Sequence, residues 1–297
     1  MGGTAALRIA QENIGDVVLI DVVPGMAKGK GFDLADSRWL TGKNYQLTGT
    51  DDISGLKGSD IVVITAGLAR KPGMTREDLL NKNSQILKSV CVKVKESAQD
   101  AVVIIVTNPL DVMTYFAVKT LEFKPGRVFG MGVTLDASRF ANLISERLAV
   151  PVTDIQPMVV GCHGEGMLPL GRFTMVKNKA LTEIITDRSQ VEELINHTVD
   201  RGKEIVSLLG SGSAYYAPSA AICQLVKAVA KDERITLGVS AYLKGEYGLK
   251  DITVGVPCVI GRRGVEKIDE LDLNPEERSA FVKSAESIRQ LTNSLAF

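Results

Sequence analysis

Three short apolar runs set the terms for this chain: DVVLIDV at 16–22, DIVVITAG at 60–67 and AVVIIVTNP at 101–109. Each has the length of a strand. The last two lack the apolar/polar alternation of a strand with one wet face, so they belong in a sheet covered on both sides. Between them, the segment 77–97 places Leu79, Leu80, Ile86, Leu87, Val90 and Val94 near helical spacing. Strand, helix, strand in that order gives parallel pairing through a crossover. YQLTGT at 45–50 reads as a weaker strand, a helix follows from Asp111, and RVFGM at 127–131 adds one more short strand.

The rhythm changes in the second half. Helical patterns at 136–148 and 189–209 flank strands near 155–160 and 171–176. From 235 to 261 apolar strands alternate with Gly-containing turns, as in an antiparallel meander. Asn274 followed by Pro275 opens a last helix. The fold expected is α/β: a doubly wound parallel sheet in 1–132, then a second domain over 133–297 with antiparallel strands.

Lys+Arg and Asp+Glu balance at 35 each, which gives no electrostatic footprint for nucleic acid. No apolar run approaches the roughly 20 residues of a membrane helix. Cys91, Cys162, Cys223 and Cys258 are far apart. That spacing predicts free thiols in a reducing cytoplasm, and neither disulfides nor a metal site. Cys162 precedes His163, but neighbours in an extended segment face opposite ways, which argues against a nucleophilic pair.

In an open parallel sheet, ligands sit beyond the carboxyl ends of the strands. Asp21 ends the first apolar run, about 20 residues beyond Gly2, where an acid accepts hydrogen bonds from a ribose and favours NAD over NADP. The strand ends ITAG (64–67) and VTNP (106–109) offer small residues to a flat cofactor, and Asn108 is placed to bond substrate or nicotinamide. The segment GLARKPGMTR (67–76) carries Arg70, Lys71 and Arg76 on a loop fit for a lid. His163 lies between glycines in GCHGEGM and suits proton exchange near neutrality. LDASRF supplies Asp136 and, one helical turn on, Arg139, so one helix face presents a partner for the base and a clamp for a carboxylate. His197, inside LINHTVDRG, reads as a surface or core filler.

Taken in series, DVVLIDV, ITAGLARKPGMTREDLL, VTNPLDVMTY, LDASRF and GCHGEGM resemble malate dehydrogenase of the lactate-dehydrogenase-like, bacterial type. The resemblance runs from Gly2 to the last helix. It implies a Rossmann-type domain followed by an α/β substrate domain, NAD as cofactor, a small dicarboxylate as substrate, and a homodimer or homotetramer. It implies that His163 exchanges the proton, with Asp136 behind it. Arg139 would hold the carboxylate next to the reacting carbon, Arg76 would polarise the substrate, and Arg70 would hold the second carboxylate. Asn108 would touch substrate and cofactor; Gly2, Asp21, Asn83, Val106 and Thr107 would line the cofactor. A lactate-type enzyme favours a neutral residue at 70.

Two departures are visible. Cys162 stands where the family more usually has glycine, which would crowd the turn beside His163. The family also begins with a strand and G-x-G-x-x-G, in which Gly2 would be the third glycine. The chain is therefore expected to be a fragment whose sheet has two open edges in its middle. Three other readings compete: a dehydrogenase for another 2-hydroxy acid such as lactate; Tyr115-x-x-x-Lys119, which matches the acid/base pair of short-chain dehydrogenases; and a truncated, inactive paralogue serving as an interaction protein.

Overall fold

The run 101–109 holds a strand that is buried at every residue, Val102–Ile105. A computed structural model of the chain describes residues 1–68 and 76–295, with the side chain of Arg76 outside the description. The first half runs α1 (Gly2–Gln11), β1 (Val17–Ile20), α2 (Met26–Thr41), β2 (Leu47–Thr50), β3 (Ile61–Ile64), α3 (Arg76–Ser97), β4 (Val102–Ile105), α4 (Leu110–Leu121) and β5 (Val128–Gly130). Strands β3, β4 and β5 pair in parallel, and every residue of β4 is buried. Helix α4 is buried along most of its length, which is why its sequence shows little amphipathic contrast.

The second half runs α5 (Val133–Leu148), β6 (Ile155–Gln156), β7 (Val159–Gly161), β8 (Met167–Pro169), β9 (Met175–Val176), β10 (Lys179–Ala180), α6 (Leu181–Ile184), α7 (Arg188–Leu209) and α8 (Tyr216–Ala230). It continues with β11 (Ile235–Lys244), β12 (Lys250–Gly261), β13 (Gly264–Ile268) and α9 (Pro275–Asn293). The expected meander is a long antiparallel pair, β11 with β12, to which β13 adds. The Asn274 and Glu277 side chains close a capping box at the start of α9. The strand expected at 171–176 shrinks to Met175–Val176, because 170–174 is a turn: Thr174 donates to the Leu170 carbonyl and accepts from the Met158 amide.

Strand β5 touches β11 at the single register pair Gly130–Ser240, so one sheet runs β3-β4-β5-β11-β12-β7-β8. Strands β1 and β2 form a separate parallel pair. Helix α2 lies almost on β2: a Cβ at Gly49 would stand 1.8 Å from the Ala27 carbonyl oxygen, and one at Gly31 would stand 2.7 Å from the Gly49 nitrogen. Only glycine at both places allows that approach.

The β1–β2 pair and the large sheet differ in their protection from water. Val102 to Ile105 are 0–2% exposed, whereas Val18 in β1 is 46% exposed. Opening free energy follows burial. In native-state hydrogen exchange the amides of Val17–Ile20 should therefore exchange at least tenfold faster than those of Val102–Ile105; equal protection would contradict this reading of the sheets.

Candidate active site

His163 stands at the tip of the β7–β8 hairpin. The turn 162–166 is short, and Gly161 and Gly164 take positive φ angles of 90° and 102° to close it. The turn is pinned from outside: the Cys162 amide donates to Ser284 Oγ at 2.7 Å, and that hydroxyl donates to the Gly166 carbonyl at 2.7 Å. The His163 amide donates to Asp111 Oδ2 at 2.7 Å.

Helix α5 brings Asp136 and Arg139 to the same face. Asp136 is fully buried, and its two oxygens are divided between two partners. Oδ2 lies 2.7 Å from His163 Nδ1, and Oδ1 accepts from an Arg139 terminal nitrogen at 3.2 Å. The contact with the carboxylate settles the ring's tautomer, with the Nδ1 hydrogen toward Asp136 and Nε2 left for proton exchange. Arg139 itself is 12% exposed, and its Nε is buried without a hydrogen-bond partner among the described residues. It lies against Gly202 of α7, where a Cβ would come within 3.3 Å of the guanidinium. An interior glycine in a helix is costly without such a reason; sequence reading passed over this one, though DRGKE carried the signal.

Burial alone would discourage a charge on the His163 ring. The charge and hydrogen bond of Asp136, with Asp111 adding to them, more than offset that, and Arg139 opposes them less strongly. The ring's pKa is therefore raised above its ordinary 6.5. Cys162 is no nucleophile, since burial, with Asp111 beside it, pushes its thiol far up. Its Sγ contacts the His163 carbonyl at 3.6 Å, and Gly166 leaves room for its Cβ.

The expected cofactor residues collect at the carboxyl ends of the parallel strands. Asp21 follows β1 and accepts from the Val23 amide at 3.0 Å. Gly2 opens α1 beside both sheets, where a Cβ would meet Thr65 Oγ1 at 3.0 Å and Leu19 at 3.9 Å. Ala66 and Gly67 are exposed, as is Asn108 beyond β4. The Val106 amide is used in the ladder to Ile64, and Thr107 Oγ1 donates to the Ala66 carbonyl at 2.6 Å. Asn83 is buried and acts as a tie: its Oδ1 accepts from the Leu68 amide and its Nδ2 donates to the Asn108 carbonyl, both at 2.8 Å. Exposed small residues, an acid and a glycine-opened helix at parallel strand ends fit a dinucleotide. Arg70 lies outside the described residues, and Arg76 is the first residue of α3.

Tyr115 and Lys119 are committed elsewhere. Asp251 Oδ1 holds Lys119 Nζ at 2.6 Å, Oδ2 lies 3.2 Å from the Tyr115 hydroxyl, and Lys119 sits 5.0–5.1 Å over the Tyr242 and Tyr115 rings. Lys119 and Tyr242 also line a cleft of about 430 Å³ to which none of the candidate site residues contributes. Among the described residues no cluster of three or more His, Cys, Asp and Glu side chains could hold a metal ion, and no helix is long and apolar enough to cross a membrane.

Because the His163 pKa is raised on folding, its protonation stabilises the fold fully below the unfolded value, near pH 6.5, and that gain is lost as pH rises through the folded value. The stability of the chain relative to its His163→Gln variant should be larger at pH 6 than at pH 9 by urea denaturation. A difference that does not vary with pH would contradict the assignment.

Comparison with known proteins agrees with this geometry. Residues 1–130 match the lactate/malate dehydrogenase NAD binding domain, and residues 133–296 match the lactate/malate dehydrogenase alpha/beta C-terminal domain. The malate dehydrogenase of Roseiflexus sp. (strain RS-1) is 46% identical over 97% of this chain and 93% of its own. The crystal structure of Cryptosporidium parvum malate dehydrogenase superposes with a TM-score of 0.95 at 39% identity, covering 99% of this chain and 95% of that one. The lactate dehydrogenase of the same organism, solved with lactic acid and nicotinamide adenine dinucleotide, gives 0.94 at 36% over 98% and 93%. With one buried carboxylate holding both a histidine and an arginine, and both halves matched in order, the chain belongs to the lactate/malate dehydrogenase family.

Proposed function

We infer that the chain is an NAD-dependent malate dehydrogenase, interconverting (S)-malate and oxaloacetate. The observation that carries the reading is the shared Asp136: it orients the His163 ring and also holds Arg139, whose buried Nε has no hydrogen-bond partner among the described residues. A buried guanidinium nitrogen left unbonded is expensive, and a planar carboxylate is the group that satisfies it. Arg139 so placed would grip the carboxylate beside the reacting carbon.

His163 Nε2 takes the hydroxyl proton when malate is oxidised and returns it when oxaloacetate is reduced, while Asp136 stabilises the imidazolium in between. NAD, when bound, accepts or supplies the hydride. Gly2, Asp21, Asn83, Val106 and Thr107 would line its site, Asn83 from where it ties Leu68 to Asn108, and Asn108 would reach both ligands. Arg70 and Arg76 would supply the two further cationic contacts of a dicarboxylate, since an uncompensated buried charge is costly. The same reading makes the enzyme cytoplasmic, a homodimer or homotetramer, and a participant in the tricarboxylic acid cycle. Four free cysteines support the compartment, and the exposed Phe32, Trp39 and Leu40 on α2 support a self-association face.

Oxaloacetate-dependent NADH oxidation by the chain tests this. We expect kcat/KM for oxaloacetate to exceed that for pyruvate by roughly 100-fold or more, with Arg70→Gln closing most of the gap. His163→Asn should lower kcat by roughly 10²–10⁴-fold, and Tyr115→Phe should stay close to the parent. A folded chain that binds no NADH and turns over no oxaloacetate would instead favour an inactive interaction protein.

A further inference from the structure

Behind His163 lies a second carboxylate that the proton transfer just described does not use. Asp111, in the first turn of α4, is 2% exposed. Its Oδ2 accepts from the His163 main-chain amide at 2.7 Å, and its Oδ1 accepts from Ser240 Oγ on β11 at 2.6 Å. Its own carbonyl accepts from Thr253 Oγ1 on β12, also at 2.6 Å. An amide N–H can only donate, so Oδ2 remains an acceptor whatever the proton does. A carboxylate at a helix N-terminus is also stabilised by the aligned peptide dipoles.

We propose that Asp111 is a positioning residue for the proton-transfer histidine: its buried carboxylate fixes the His163 main chain and gives the imidazolium a second negative neighbour. The assignment rests on the reading of His163 given above. The charges around the ring make the case. On α5 stand Asp136 and Arg139, on α4 Asp111, and on the ring's own loop Cys162. Asp136 is shared with Arg139, so it cannot alone offset a protonated ring. With Asp111 ionised, two cations face two carboxylates, and the site is balanced before substrate brings its own charge. Burial raises the Asp111 carboxyl above the usual carboxylate range, and the Ser240 hydroxyl, the His163 amide and the His163 charge offset part of that rise. The hydroxyl and the amide are the contacts that favour the ion against its burial, and the titration below reads whether the charge acts on the ring.

A stitch that merely held α4 to the hairpin would need no charge. Asparagine at 111 can accept from the His163 amide and donate to Ser240, so Asp111→Asn removes the charge and keeps the bonds. The chain has two histidines, and His197 is exposed on α7, so NMR titration of the imidazoles resolves His163 with an internal reference. In Asp111→Asn the His163 midpoint should fall by roughly 0.5–1 pH unit while His197 stays put. The alkaline limb of oxaloacetate reduction, which needs a protonated ring, should move to lower pH by the same amount. An unchanged His163 midpoint in the folded variant overturns the proposal. If Asp111→Asn does not fold, Ser240→Ala decides. Stripping a donor from Oδ1 makes the carboxylate easier to protonate, so a smaller fall in the His163 midpoint supports the assignment and no fall overturns it. The titration is read without substrate, so a chain inactive on oxaloacetate that still shows the shift defeats the proposed function and leaves Asp111 in place.

Discussion

Everything distinctive about this molecule turns on burying Asp136 completely and giving each of its oxygens a cationic or potentially cationic donor. A lone carboxylate in that position would be neutralised by its surroundings or would unfold them. The helix carrying it is rooted in its own apolar cluster through Val133, Phe140, Leu143 and Ile144. Its polar stripe is therefore aimed by packing on the opposite side. Arg139 follows from the same helix at one turn's distance, and Gly202 of α7 gives its guanidinium a surface to lie along. The histidine arrives from elsewhere, on a hairpin, and its ring meets a carboxylate already fixed in direction. Preorganisation of this kind is what a proton-transfer pair requires and what two residues that merely touch lack.

The hairpin turn is held by groups distant in sequence. Ser284 on α9 takes the Cys162 amide, and Asp111 on α4 takes the His163 amide. Ser240 on β11 completes Asp111 from the neighbouring strand. Five residues of turn are thus tied by their amides to two helices, with β11 backing one of them, and each tie satisfies a polar group that would otherwise cost free energy. These long-range bonds fix the main chain on either side of His163, which a loop without such ties would leave to its own conformational freedom.

How much of this was legible in the sequence depends on whether the signal was local. The i, i+3 pair Asp136 and Arg139 was legible because helical spacing is a property of one segment. His163 was legible because glycines bracket it, and β3 and β4 because uninterrupted Val/Ile runs have few other uses. Asp111 was seen only as the start of a helix: nothing in LDVMTY says that its carboxylate meets an amide 52 residues away. Helices α2 and α8 escaped for opposite reasons. Helix α2 is broken up by Gly29 and Gly31, the latter required by its contact with β2, and α8 is apolar nearly all round, so neither shows the stripe that marks a surface helix. The tie that Asn83 makes between Leu68 and Asn108 joins positions 15 and 25 residues from it, and no local pattern carries that.

Tyr115 and Lys119 show the other side of the same rule. Their i, i+4 spacing is what a tyrosine–lysine acid/base pair needs, and the helix does put them on one face. What spacing could not supply was the third residue. Asp251 occupies that face, binding both side chains and the Tyr242 hydroxyl, and the lysine ammonium is held in its charged form by those contacts. A lysine so anchored serves to lock α4 against the β11–β12 pair. His163 and Asp136 differ in that the carboxylate takes Nδ1 and, among the described residues, no hydrogen bond takes Nε2. A short motif specifies which side chains share a face; the group across from that face decides whether they do chemistry or hold the fold together.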